Sequence, residues 1–328
     1  MSAVLLFGIF FALLFLNVPI AMSLGVSSII TTMAVKPAMM STIAANLYSS
    51  TNTYVLLAIP FFILAGNIMD VSGISVRLIN FFNSLVGHTK HGTAMVCVIV
   101  ACFFAAISGS GPATVAALGG ILIPAMSKSG YEKDTSAALM STAGAIGIVI
   151  PPSITFVVYG SVTGTSVGDL FMAGIIPGIL IGVAIYFTMV ISSRGCNLVR
   201  QPKASGKERW KAFGDAVWGI LMPVIILGGI YGGIFTPTEA AAVSAIYGLI
   251  VGMFIYKTLR FKEIVVILRQ SVSQTAVVML IIGCAAVFGK VLTFTGLASD
   301  ASQGLISIAH GNKYTFLLMV NIILIIAG

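Results

Sequence analysis

Residues Phe103–Pro124 read FFAAISGSGPATVAALGGILIP, and the fold turns on why an apolar run carries Ser-Gly-Ser-Gly-Pro at its middle. Gly and Pro cost a helix interior about 1 and 3 kcal/mol relative to Ala, so the interruption needs an offsetting gain. As helices, the apolar arm before it (94–107) and the arm after it (115–126) would cover about 21 and 18 Å, short of a hydrocarbon core about 30 Å thick. The reading that fits is a re-entrant helical hairpin with Ser108–Thr114 at its tip near mid-membrane. Non-helical backbone at that depth is tolerated only where it is buried in protein or faces water. A second interruption follows. Residues 135–150 are helical in character, Pro151 and Pro152 stop them, and 153–162 restart as a half-helix. Two successive prolines remove donors and free carbonyls around Ile148–Ile150.

The surroundings justify reading these breaks against a membrane. Hydrophobic residues make up 58% of the 328 positions and charged residues only 8%, against about 25% charged in soluble domains. Apolar segments recur along the chain, which predicts an all-α polytopic membrane protein, since open sheet edges do not survive in hydrocarbon. The run that begins at Ala3 lacks a basic n-region and is expected to stay as a span. The formal net charge of +8 does not indicate a nucleic-acid partner, because its distribution follows topology. Arg194, Arg200, Lys203, Lys207, Arg209 and Lys211 cluster in one polar connector, and positive connectors stay in the cytoplasm. Cys97, Cys102, Cys196 and Cys284 lack metal-ligand spacing and read as packing residues.

The chain also resembles itself at an offset of 223 residues. GNIMDVSGISVRLINFFNSLVGHTK from Gly66 aligns with GKVLTFTGLASDASQGLISIAHGNK from Gly289, with two glycines and a terminal lysine coinciding. Placing the Pro19 end inside and the Pro237 end outside puts 14 of the 17 basic residues in the cytoplasm and leaves only Lys36, Lys290 and Lys313 outside. That split favours an inverted pair of repeats, the arrangement of many secondary transporters.

The two breaks supply the candidate chemistry. They carry the hydroxyls of Ser108, Ser110, Thr114, Ser153 and Thr155, freed carbonyls and two half-helix N-termini. Hydroxyl and carbonyl oxygens suit a hard cation such as Na⁺, while helix N-termini favour an anion. Neither break contains Asp, Glu or His, which argues against a proton relay. The sodium candidates are Ser108, Gly109, Ser110, Thr114, Gly147, Val149, Pro151 and Pro152; the substrate candidates are Gly111, Pro112, Ser153 and Thr155. Thr236-Pro237-Thr238-Glu239 reads as a helix start closed by a capping box. A channel fits alternating access less well than a transporter, and an intramembrane hydrolase would need a base beside Ser108 or Ser110, where no apolar span holds a His. No phosphate-binding G-x-x-x-x-G-K-[ST] is present.

The segments GGIYGGIFTPTEAAAVSAIYG (Gly228–Gly248), SGSGPATVAALGGILIPAM (Ser108–Met126) and IGIVIPPSITFVVYG (Ile146–Gly160) resemble the large membrane subunit of tripartite ATP-independent periplasmic (TRAP) transporters. The likeness runs along the whole chain and is greatest to the sialic acid branch, with C4-dicarboxylates and other organic acids as alternatives. It implies a non-enzymatic, Na⁺-coupled elevator transporter in the bacterial inner membrane. The substrate would be an organic anion delivered by a soluble periplasmic binding protein, and a small four-helix membrane subunit would widen the scaffold. It also places the first sodium site between Ser108–Thr114 and Gly147–Pro152.

The expected layout has first-repeat scaffold and arm helices at 1–91 and a transport part at 92–193, with the hairpin at 92–127 and the broken helix at 134–163. A basic connector at 194–214, second-repeat scaffold and arm helices at 215–312 and the start of a second hairpin at 313–328 follow. By the repeat, roughly 80 to 100 further residues with a second hairpin and second break are expected after Gly328, and the chain as it stands is expected not to transport alone.

Overall fold

The computed structural model describes residues 2–327. Among them the chain forms fifteen α-helices and no strand: α1 (Ser2–Phe15), α2 (Ile20–Val35), α3 (Met40–Thr51), α4 (Ala58–Val71), α5 (Ile74–Val86), α6 (Gly92–Ser108), α7 (Gly111–Lys128), α8 (Lys133–Ala145), α9 (Ile154–Thr163), α10 (Val167–Ser192), α11 (Gly206–Tyr231), α12 (Pro237–Ile250), α13 (Phe261–Phe294), α14 (Leu297–Ala309) and α15 (Lys313–Ala327). Among the described residues, five helical stretches are long and apolar enough to cross a membrane: Tyr54–Val71, Val167–Ser192, Gly206–Tyr231, Pro237–Ile255 and Phe261–Phe294. The protein is therefore an all-α, multi-pass membrane protein.

Two compact units are present, Met1–Asn52 with Val277–Gly328, and Thr53–Ala276. In the first, Leu6, Phe288 and Val291 form a small core, with Phe10 and Leu24 packed against it. Gly25 lets α2 close on Cys284, since an added methyl would lie 3.2 Å from its sulfur. Ser28 and Thr32 on α2 donate to the carbonyls one turn back, at 2.6 and 2.8 Å, which satisfies hydroxyls that are fully buried.

The second unit contains two helices joined at the Ser-Gly-Ser stretch, with longer arms than the sequence reading expected. Only Gly109 and Ser110 lie outside the helices, so α6 and α7 run for 17 and 18 residues, about 26 and 27 Å. The expected loop is short because its residues suit helix ends. Ser110 caps α7, with its hydroxyl accepting from the Ala113 amide; Pro112 sits in the first turn, and Gly109 ends α6 at φ +62°. Arms this long approach the hydrocarbon thickness, so length alone no longer argues that the hairpin is re-entrant. The second break is also present: α8 gives way to a 3₁₀ turn at Ile146–Ile148 and α9 restarts at Ile154.

The basic connector is shorter than its composition indicated, because α11 begins at Gly206. Ser205 and Glu208 form a capping box there, and the expected box of Thr236 and Glu239 starts α12. In the latter, the Glu239 carboxylate accepts from the Thr236 amide at 2.8 Å while the Glu239 amide donates to the Thr236 hydroxyl at 3.3 Å. α12 presents Ala241, Ser244, Ala245 and Gly248 as a stripe of small buried residues, and Gly248 allows it to close on Ile68 of α4. Where α4 turns into α5 at Gly73 (φ +71°), the Arg77 guanidinium donates to the carbonyls of Ser72 and Gly73. It also stacks 3.8 Å from the Tyr256 ring centroid, and Tyr256 donates to the Asp215 carbonyl at 2.6 Å.

The repeat reappears in the helix boundaries. α5 runs from 74 to 86 and α14 from 297 to 309, each 13 residues long, each shifted by the same 223 positions and each preceded by a glycine in the left-handed region, Gly73 and Gly296. Both are amphipathic and, at about 20 Å, too short to cross a bilayer.

Candidate functional site

The hairpin tip and the broken helix meet. The Gly109 carbonyl accepts from the Ile154 amide at 3.2 Å, so the first amide of α9 is satisfied by the end of α6. Glycines make this approach possible from both sides. An added methyl would sit 2.8 Å from the Pro152 carbonyl oxygen at Gly109, 3.0 Å from the Gly144 carbonyl oxygen at Gly111, and 3.2 Å from the Ser110 carbonyl at Gly147. Behind the tip, Gly66 of α4 faces Ser108, where a methyl would lie 3.2 Å from its Cα.

Three oxygens of the tip converge. The Thr114 hydroxyl donates to the Ser110 carbonyl at 2.8 Å, the Ser108 and Thr114 hydroxyls lie 3.2 Å apart, and the Ser108 hydroxyl lies 3.4 Å from the Ser110 carbonyl. Thr114 is fully buried and Ser108 nearly so. The 3.2 and 3.4 Å separations are close to the roughly 3.3 Å edge of an octahedron of oxygens around a hard cation held at about 2.3–2.4 Å, and the 2.8 Å hydrogen bond from Thr114 to the Ser110 carbonyl would open on cation binding. The donor set fits Na⁺, with Ser108, Ser110 and Thr114 as the residues that would hold it. No Asp, Glu, His, Lys or Arg occurs in 103–127 or 135–168, so backbone dipoles and hydroxyls set the electrostatics. Two helix C-termini (α6, α8) and two N-termini (α7, α9) come together, offering partial negative charge to a cation and partial positive charge to an anion. Among the described residues, no group of three His, Cys, Asp or Glu is placed to hold a metal.

The remaining candidates fall in distinct places. Gly147, Pro151, Pro152 and Gly111 are buried in the junction. The Val149 carbonyl is turned toward α10, where a methyl on Gly174 would meet it at 2.5 Å. The Ser153 hydroxyl is fully buried and donates to the Ile148 carbonyl at 2.6 Å, so it satisfies one of the carbonyls that the prolines free. Pro112 and Thr155, in the first turns of α7 and α9, are exposed. The peptide bond between Pro151 and Pro152 is cis.

Sequence reasoning passed over α10, which supports the break. Gly174, Gly178 and Gly182 form a buried stripe at four-residue spacing. A methyl would meet the Phe156 ring at Gly174, the Ile150 side chain at Gly178 and, at 3.3 Å, the Cys102 sulfur at Gly182. On the opposite face Ile176 and Leu180 are 70% and 62% exposed, as a lipid-facing surface would be. The four-residue spacing of the glycines was the available signal.

Comparison with known proteins agrees with this architecture. Residues 7–328 match the family described as "Tripartite ATP-independent periplasmic transporter, DctM component". The chain is similar to the C4-dicarboxylate TRAP transporter large permease protein DctM of Rhodobacter capsulatus, 38% identical over 100% of this chain and 78% of that protein. The protein of the same name from Pseudomonas aeruginosa is 43% identical over 93% of this chain and 71% of its own length. The sialic acid TRAP transporter large permease protein SiaM of Vibrio cholerae is 35% identical over 96% of this chain and 74% of its own. The chain thus belongs to the DctM family, the large permease component of TRAP transporters, and its role is transport rather than enzymatic catalysis.

Proposed function

We propose that this chain is the ion- and substrate-carrying permease of a Na⁺-coupled uptake system for a small organic acid anion in a bacterial inner membrane. The observation that carries the reading is the charge-free junction of the hairpin tip with the broken helix, where the oxygens of Ser108, Ser110 and Thr114 converge beside two helix N-termini. Na⁺ bound among these oxygens would supply the positive charge that the junction lacks. The exposed first turns at Pro112 and Thr155 mark the face open to the anion, whose carboxylate is favoured by the N-terminal ends of α7 and α9. The amphipathic α5 and α14 are suited to act as interfacial arms of an elevator built from inverted repeats.

A C4-dicarboxylate is the substrate class with most support, since relatives named for it are 38% and 43% identical, against 35% for the relative named for sialic acid. The preference for sialic acid drawn from sequence resemblance has correspondingly less support. Delivery by a soluble periplasmic binding protein and cooperation with a small membrane subunit complete the system, in keeping with the tripartite family.

Uptake of labelled succinate into proteoliposomes tests the reading, with a permease extended through the expected second hairpin and break, the small subunit and the binding protein supplied together. Uptake is expected to need both an inward Na⁺ gradient and the binding protein, and to be competed by fumarate more effectively than by sialic acid. Uptake driven equally by K⁺, or competed best by sialic acid, would overturn the coupling or the substrate assignment respectively.

A further inference from the structure

Away from the junction, α5 and α11 leave a groove of about 270 Å³ between them, lined by Phe81, Leu85, Gly206, Arg209, Trp210 and Phe213. Its floor is aromatic: the Phe81 and Phe213 rings lie 5.6 Å apart and Trp210 meets Phe213 edge-on at 5.8 Å. Arg209 is the charged group of the lining, and its Nε is enclosed with no hydrogen-bond partner among the described residues. Two of the nearby charged groups are committed elsewhere. Glu208 accepts from the Ser205 amide and hydroxyl at 2.7 and 2.9 Å, and Arg77 is held by the Ser72 and Gly73 carbonyls and the Tyr256 ring. Lys207 and Lys211 lie within two residues of Arg209, on the side that the basic connector assigns to the cytoplasm.

An uncommitted guanidinium over an apolar cleft at a membrane boundary is complementary to one kind of molecule. Water satisfies the cation but leaves the aromatic floor wet, and a soluble anion makes no use of that floor. A phospholipid serves both, with its phosphodiester on Arg209, an acyl chain along Phe81, Leu85 and Phe213, and Trp210, 75% exposed, at headgroup level. We infer that the α5–α11 groove binds an anionic diacyl phospholipid of the cytoplasmic leaflet.

Native mass spectrometry of the purified protein titrated with phosphatidylglycerol, or with phosphatidylcholine of the same chains, tests this. One phosphatidylglycerol should be retained preferentially. Arg209→Gln should weaken that binding about fivefold, the loss expected for one basic group at an anionic surface, and leave phosphatidylcholine unaffected. Arg209→Lys should keep most of the preference, Leu85→Trp should displace the acyl chain with the charge intact, and Lys203→Gln, outside the groove, should behave as wild type. Thermal unfolding of each variant establishes that it is folded. The inference is overturned by equal phosphatidylglycerol retention in Arg209→Gln and wild type, by equal retention of the two lipids, or by glycerol 3-phosphate competing as well as the intact lipid. Loss of the lipid on adding the small membrane subunit would also overturn it, making the groove a protein interface.

Discussion

At the scale of single residues, the junction depends on atoms that are absent. Gly109 sits at φ +62° with its α-carbon against the Pro152 carbonyl, so alanine there meets both an unfavourable backbone region and a contact at 2.8 Å. Gly109→Ala should destabilise the protein by about 1–3 kcal/mol, whereas Gly120→Ala, with open space around it, should be neutral or slightly stabilising. Thermal unfolding in detergent with and without Na⁺ measures both, and equal midpoints for the two variants would contradict the close approach. The glycines and hydroxyls were legible in the sequence because residues poor at forming helix stand out in an apolar run. Which carbonyl each hydroxyl would take was not. Ser153 turns back to Ile148 and Val149 faces α10, because the path of the chain through the break, rather than residue type, decides those directions.

Between elements, contact surfaces of small residues set the packing. The glycine stripe on α10 brings its backbone against Val149, Ile150 and Phe156, which fixes the broken helix from behind. Gly174→Ala and Gly178→Ala should each cost about 1–3 kcal/mol through overpacking and lower transport. Gly228→Ala, on the open side of α11, should leave both unchanged. Denaturation midpoints and uptake rates compared across the three variants check this, and tolerance of all three would remove α10 as a support. The hairpin and the break were visible in sequence as interruptions, but the arm lengths were underestimated. Ser108, Gly111 and Pro112 looked like loop residues, yet each also suits the last or first turn of a helix, as Ser110 suits its cap, and only tertiary contact chooses between the two. The α10 glycines escaped notice for the opposite reason: single glycines in a long apolar run do not interrupt it.

For the whole molecule, charge and repetition organise the account. The 14 to 3 division of basic residues predicts that the Ser205 end of α11 lies in the cytoplasm and its Tyr231 end outside. Cysteine introduced by Lys203→Cys should therefore be labelled by an impermeant maleimide only in inverted vesicles, and by Ile234→Cys only in intact cells after the native cysteines are replaced. Labelling of position 203 from outside would reverse the topology. The repeat was readable from two glycines and a lysine because a left-handed turn ahead of an amphipathic helix demands glycine in both copies, and α5 and α14 have the matching boundaries that follow. Substrate class was less legible, since the carboxylate recognition proposed for the junction would rest on backbone dipoles that any sequence supplies. The central claim, that the tip oxygens hold the coupling ion, is tested most directly by Na⁺ titration of purified protein. In wild type, NaCl but not KCl or choline chloride should raise the unfolding temperature saturably. Thr114→Val, which keeps the side-chain shape and removes one ligand, should need about tenfold or more Na⁺ for the same rise. An unchanged Na⁺ response in Thr114→Val, or an equal response to K⁺ in wild type, would contradict it.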